Sequence, residues 1–219
     1  MSDIISAFGV GISETIIGHP FNTAKVLVQN NKKWYGLPLK QYYRGVRYPL
    51  MSGTFFNMMV FPIKERTYQY TNSYFLSGIL AGIIVTPQIY FIDTFTIKRQ
   101  TNQPVSLSMF KGAKGFQMTM TREMLALSLY FGTYHWMRDD LKYNSLIAGG
   151  AAGLSNWTAS YPLDVIRSRQ IAQRITIKEA IKMGNFWKGF PIAASRSVIV
   201  NAMSFTVFER LKNYIDGKI

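Results

Sequence analysis

Ser160-Tyr161-Pro162-Leu163-Asp164-Val165-Ile166-Arg167-Ser168-Arg169-Gln170 decides how the rest of the chain is read. A proline, an acid two residues on and two bases sit in the lower half of what otherwise reads as a long apolar helix. Ionisable side chains survive in a bilayer only by facing a partner or a wet cavity, so the cluster marks a functional site. The proline ring removes a backbone bond and supplies a kink.

Diluted copies precede it. Gly18-His19-Pro20-Phe21-Asn22-Thr23-Ala24-Lys25-Val26-Leu27-Val28-Gln29 is one, and Phe91-Ile92-Asp93-Thr94-Phe95-Thr96-Ile97-Lys98-Arg99-Gln100 is a weaker second. Gly11, Gly82 and Gly153 precede the copies at a constant offset, and 82 less 11 and 153 less 82 are both 71. A fixed period in such marks means three copies of one structural unit.

The 219 residues are 48% hydrophobic and 15% aromatic, yet mean hydropathy is only +0.04. That balance suits helices apolar outward and polar toward a wet centre. The net charge of +14 calls for anionic company. The bases cluster at span ends instead of forming one stripe, which argues against a nucleic acid polymer as partner. Cysteine is absent, excluding disulfides and thiolate chemistry. His19 and His135 have no acid at ligand spacing, and neither a phosphate-cradling loop nor a nucleophile elbow occurs, so no enzyme, metal or cofactor is expected. No basic, cleavable leader precedes the first apolar segment, and any organellar address is expected to be internal.

In order, the chain offers apolar segments at about 4–28, 48–70, 74–98, 116–137, 145–169 and 191–214, each of roughly the 20 residues that cross a bilayer. Small residues four apart recur as Ala7 and Gly11, Gly78 and Gly82, Gly149 and Gly153, a spacing that lets membrane helices approach closely. The links end in Tyr43-Arg44-Gly45, Phe110-Lys111-Gly112 and Trp187-Lys188-Gly189. The reading is an all-α membrane protein: one domain, residues 1–219, with six transmembrane helices in three tandem two-helix repeats (1–72, 73–143, 144–219) related by pseudo-threefold symmetry. A soluble six-helix bundle is the disfavoured alternative, since long spans with embedded Pro and Gly are rare there.

These residues resemble the mitochondrial carrier family, whose pattern is P-x-[D/E]-x-x-[K/R]-x-[K/R]-x-Q followed by a link and an aromatic-[K/R]-G. The resemblance implies a multi-pass protein of the mitochondrial inner membrane, a monomer, exchanging a small solute by alternating access. It further implies a matrix gate in which Asp93 pairs with Arg167, Asp164 with Lys25, and Asn22 with Thr96, the last pair having lost both charges together. Gln29 and Gln100 would brace the gate, while Ile171 at the third such position cannot. A cytoplasmic gate would draw on Glu65, Tyr68, His135, Arg138, Glu209 and Lys212, with Glu65 and Arg138 its one full ion pair. That weaker gate implies a resting state open to the cytoplasm.

The family's substrate contact points fall on Ser52, Arg122 and Arg196, with Glu123 beside Arg122 and His19 a further candidate. A base followed by an acid, together with the Gly18-His19-Pro20 phrase, is similar to the carnitine and basic amino-acid branch. Arg44, Gly45, Lys111, Gly112, Lys188 and Gly189 would meet lipid phosphate, cardiolipin by implication. The links look short, so their surface helices are expected to be truncated. The solute is expected to be amino-acid-like or carnitine-like; a nucleotide or deoxynucleotide carrier, and a degenerate carrier serving as a non-transporting scaffold, are the alternatives.

Overall fold

A computed structural model describes residues 2–197 with 199, 200, 203 and 217, and only the backbone at 2–10, 53–55, 57, 58 and 146. Among them the regular elements are helical: α1 (Ser2–Gln29), α2 (Leu39–Tyr42), α3 (Arg47–Thr71), α4 (Tyr74–Gln100), α5 (Phe116–His135), α6 (Ser145–Gln173) and α7 (Ile177–Lys182). A 3-10 turn lies at Leu107–Phe110, a π turn at Trp136–Asp140, and residues 190–197 are helical. The fold is all-α, and its five long helices fall on five of the six expected spans. Most of the sixth lies outside the described residues.

The chain divides into two compact units. Met1–Thr54, Ile92–Ser106 and Lys188–Ile219 form the first; Phe55–Phe91 and Leu107–Trp187 form the second. This division cuts across the three expected repeats, running through the middle of α3 and α4.

Among the described residues α4 is the helix both long and apolar enough to cross a membrane by length and composition. The other long helices dilute their hydropathy with charge: Lys64, Glu65 and Arg66 on α3, Arg122 and Glu123 on α5, Asp164, Arg167 and Arg169 on α6. Among the described residues the expectation of six such spans therefore meets one.

The second unit shows how α4 is used. Leu76, Leu80, Ile83 and Ile84 are exposed, while Ser77, Ala81, Val85 and Thr86 on the opposite face are fully buried. Large apolar groups outside and small or polar groups inside invert the arrangement of a water-soluble helix, and a continuous exposed apolar face calls for an apolar surround. Small size inside permits close packing on α5. A Cβ on Gly78 would stand 2.4 Å from the Ser128 backbone, and one on Gly82 2.6 Å from Met124 N. Gly11, Gly149 and Gly153 meet nothing within 4 Å among the described residues, so the close helix approach seen among them is the one at the second pair.

Val60, Ala81, Val85, Leu127 and Phe131 form the core of this unit, where α3, α4 and α5 converge. Helix α5 also packs along α6, with Thr133 and Ser155 hydroxyls 3.1 Å apart. Helix α6 starts where Asn144 accepts from the Ile147 amide at 2.9 Å, satisfying an orphan donor of the first turn. It ends at Arg174 with φ 58°. The links carry only short elements, four residues in α2, four in the 3-10 turn and six in α7, as their length implied.

Candidate functional site

Arg122 and Glu123 are neighbours on α5 and form an ion pair. Asp164 and Arg167 stand one turn apart on α6, with Arg167 Nη2 donating to Asp164 Oδ1 at 2.9 Å. The two pairs are cross-linked. Arg122 Nε lies 3.9 Å from Asp164 Oδ1, and Arg167 Nη1 lies 4.0 Å from Glu123 Oε1. Two acids and two bases thus alternate around a closed quartet. Glu123, Asp164 and Arg167 are 3%, 1% and 6% exposed, and charges so buried persist only because each has a partner. Arg122 keeps a buried Nε without a hydrogen bond, and its guanidinium lies 5.9 Å from the Trp157 ring centroid.

Beside the quartet is a cavity of about 300 Å³. Arg122, Glu123 and Asn156 supply its polar wall; Phe56, Phe61, Leu127, Tyr130 and Phe131 form much of the rest. A few convergent polar groups in a mostly apolar hollow is the usual make-up of a small-molecule site. The guanidinium can grip an anion through two parallel N–H donors, and the carboxylate beside it can take a cation.

In the first unit Arg196 packs its guanidinium against α1 at Gly18, where a Cβ would stand 2.8 Å from Nε. That Nε is buried and without a hydrogen bond, and Glu14 is the acid whose charge acts on it. His19 is 1% exposed and joined through Nε2 to the Arg44 carbonyl at 2.9 Å. It stacks near Tyr43, centroids 6.4 Å apart. The structure thus places His19 as a packed residue tying α1 to the first link. Thr23 donates to the Tyr42 carbonyl at 2.7 Å and accepts from Gln100 at 3.0 Å. Ser52 points its hydroxyl at the Pro49 carbonyl of its own helix, 3.4 Å away.

A profile described as "Mitochondrial carrier protein" matches residues 140–218. Nearly the whole chain aligns with proteins of that kind. A mitochondrial arginine transporter of Arabidopsis thaliana is 26% identical over 94% of this chain and 88% of its own length. A mitochondrial basic amino acids transporter of Rattus norvegicus is 25% identical over 99% and 90%. A mitochondrial substrate carrier family protein of Dictyostelium discoideum is 26% identical over 94% and 93%. Over its C-terminal third by profile, and nearly end to end by alignment, the chain is similar to the mitochondrial carrier family. Its members are solute transporters of membranes and not enzymes.

The residues expected at the matrix gate lie in varied surroundings. Lys25 and Thr96 are buried in the first unit. Thr96 gives its hydroxyl hydrogen to the Ile92 carbonyl at 2.8 Å, and among the described residues no hydrogen bond joins it to Asn22. Asp93 is half-buried, and Gln29 and Gln100 are fully buried. Sequence reasoning missed the part played by Arg169. Its guanidinium, 1% exposed, donates to the carbonyls of Ala180, Gly184 and Asn185 at 3.2, 2.7 and 3.4 Å. It therefore clasps the third link.

At the other helix ends the expected Glu65–Arg138 ion pair does not form among the described residues. Glu65 is held by its neighbour Lys64 at 3.2 Å, and Arg138 reaches the Tyr134 hydroxyl at 3.4 Å. Contrary to the expectation that no acid stands at ligand spacing from it, His135 bonds Asp139, four residues on, at 2.8 Å. Its ring stacks on Tyr74 with centroids 3.4 Å apart, and Tyr74 stacks on Tyr68 at 3.9 Å. Glu209 and Lys212 lie outside the described residues.

The three link glycines also change register. Gly45, Gly115 and Gly189 have φ of 82°, 90° and 87°, and each closes the turn that leads into the following helix. Each stands seven residues before a contact point: 52 less 45, 122 less 115 and 196 less 189. Lys114-Gly115 thus shares the spacing and backbone turn of Arg44-Gly45 and Lys188-Gly189, with Ala113 where those have Tyr43 and Trp187. Gly112 shares the positive φ, 77°, but lies three residues too early. The aromatic of Phe110-Lys111-Gly112 drew the sequence reading there, since Ala113 precedes Lys114-Gly115, and the constant spacing of seven was the signal that pointed to the later glycine.

Proposed function

We propose that this carrier exchanges a small amino-acid-like solute across the mitochondrial inner membrane by alternating access. In this reading six crossings form three two-helix repeats around a wet centre. Helices α1, α3, α4, α5 and α6, of 28, 25, 27, 20 and 29 residues, have the length such crossings need, roughly 30 Å at 1.5 Å per residue. Asp93 with Arg167 and Asp164 with Lys25 close the matrix side; Lys188-Gly189, Lys114-Gly115 and Arg44-Gly45 offer a base and a backbone donor to a cardiolipin phosphate.

The observation that carries the substrate assignment is Arg122 beside Glu123 on the wall of one cavity. An α-carboxylate takes the guanidinium and an α-ammonium takes the carboxylate, so a zwitterion replaces the internal ion pair without stranding a charge. Arg196 is the second anion anchor in this scheme. Relatives named for arginine and basic amino acids favour the same class.

The test is uptake into liposomes by the full chain, screened over amino acids, acylcarnitines and nucleotides. Exchange of an amino acid or acylcarnitine supports the reading. Nucleotide-only exchange, or no exchange of any solute, contradicts it, the latter favouring a non-transporting scaffold.

A further inference from the structure

The cavity's anchors are suited to an α-amino acid, but its remaining wall is not suited to a basic side chain. Once Arg122 and Glu123 engage the carboxylate and ammonium, the side chain must lie against Phe56, Phe61, Leu127, Tyr130 and Phe131. Among the described residues Glu123 is the one acid lining the cavity, and it is already shared between Arg122 and Arg167. A lysine-like or arginine-like substrate would bring a second cation with no second carboxylate to meet it, and an unpaired charge in an apolar site is strongly disfavoured.

Aromatic rings can hold a cation by their faces, and this is the one way such a wall could accept a basic side chain. At Phe131, one of the four rings lining the cavity, the protein's own ammonium has taken that role. Lys64 Nζ lies 5.9 Å from the Phe131 centroid and 5.7 Å from the Tyr74 centroid. Its side chain is 14% exposed, and its counter-ion Glu65 is 61% exposed. The positive charge is therefore the more enclosed member of the pair, and it would repel a second cation at the same ring. The cavity of about 300 Å³ lies at the small end of the range for ligand sites, roughly 300–1,000 Å³, which fits one amino acid better than a long acylated solute.

We infer that the solute is a zwitterionic amino acid with an uncharged, apolar side chain, of the leucine, methionine or phenylalanine kind, and that Lys64 with the aromatic wall excludes basic ones. This departs from the names of the relatives and rests on the proposed amino-acid transport.

The full chain in liposomes, loaded in turn with each compound, is assayed for uptake of labelled leucine, methionine, phenylalanine, arginine and lysine. Uptake of at least one apolar amino acid exceeding that of arginine and lysine by roughly tenfold or more is expected. Arginine or lysine transported as well as or better than the apolar three overturns the inference and leaves amino-acid transport standing. No transport of any of the five overturns both. Lys64→Gln is expected to raise arginine uptake relative to leucine; an unchanged ratio would overturn the part given to Lys64. Ligand-induced thermal stabilisation in detergent supplies the same ranking for a variant that inserts poorly.

Discussion

Asp164 and Arg167, three residues apart on α6, hold each other at 2.9 Å while nearly sealed from solvent. Each also reaches across to α5, Asp164 toward Arg122 and Arg167 toward Glu123. The motif that opened the sequence reading is thus wired to the cavity wall. A solute that engages Arg122 and Glu123 alters the balance of charges felt by Asp164 and Arg167. That gives binding a direct electrostatic route to residues of the proposed gate.

Removing one member of the quartet takes one acid or base from each of its neighbours. Asp164→Asn leaves Glu123 as the acid facing both Arg122 and Arg167, and should destabilise the protein by about 1–3 kcal/mol, less than for a buried ion left alone. The double variant Asp164→Asn with Arg167→Gln should recover part of that loss. Thermal unfolding in detergent of the two single variants and the double measures the coupling, and strictly additive losses would speak against it.

Packing of α4 on α5 depends on two missing side chains. Gly78→Ala and Gly82→Ala each place a methyl group within 2.4 and 2.6 Å of backbone atoms of α5, and each should cost about 1–3 kcal/mol. Gly149→Ala and Gly153→Ala, which meet nothing within 4 Å among the described residues, should be neutral or slightly stabilising through helix propensity. Melting temperatures of the four variants separate the two classes.

The third link carries a pH-sensitive cap. Thr176 donates its amide to Glu179 at 2.6 Å and its hydroxyl at 2.8 Å. These bonds, led by the amide and aided by Lys114 and Lys182, hold the Glu179 carboxyl below its ordinary value of 4.5. A depressed folded value means the cap steadies α7 above pH 4.5 and gives up that support as pH falls through the folded value. Thr176→Ala should return the Glu179 titration toward 4.5, read by NMR of a labelled side chain, and should hasten proteolysis at residues 174–185 at neutral pH.

Much of the fold was legible because its signals are local. Pro162, Pro20 and the 71-residue period mark helices whose ends the structure reproduces to within a few residues, apart from α6, which runs four further to Gln173. Arg122 and Glu123 came forward through the contact-point positions of the family resemblance and the pairing of a base with an acid. Tertiary choices were less so. Nothing in the spacing said that Lys64 would claim Glu65, that His135 would stack on Tyr74, or that Arg169 would meet three carbonyls fifteen or so residues on. Each partner is selected by packing in space. The link at 110–115 shows the same limit: Phe110-Lys111-Gly112 carries the aromatic, while Lys114-Gly115 carries the spacing and the turn that leads into α5.

The most direct test of the account is amino-acid counter-exchange in liposomes by the wild-type chain beside Arg122→Gln. The account predicts robust exchange by the wild type and a loss on the order of a hundredfold in the variant, the scale of one removed charge-paired contact. Exchange by Arg122→Gln at the wild-type rate and affinity would contradict the placement of the solute at Arg122 and Glu123.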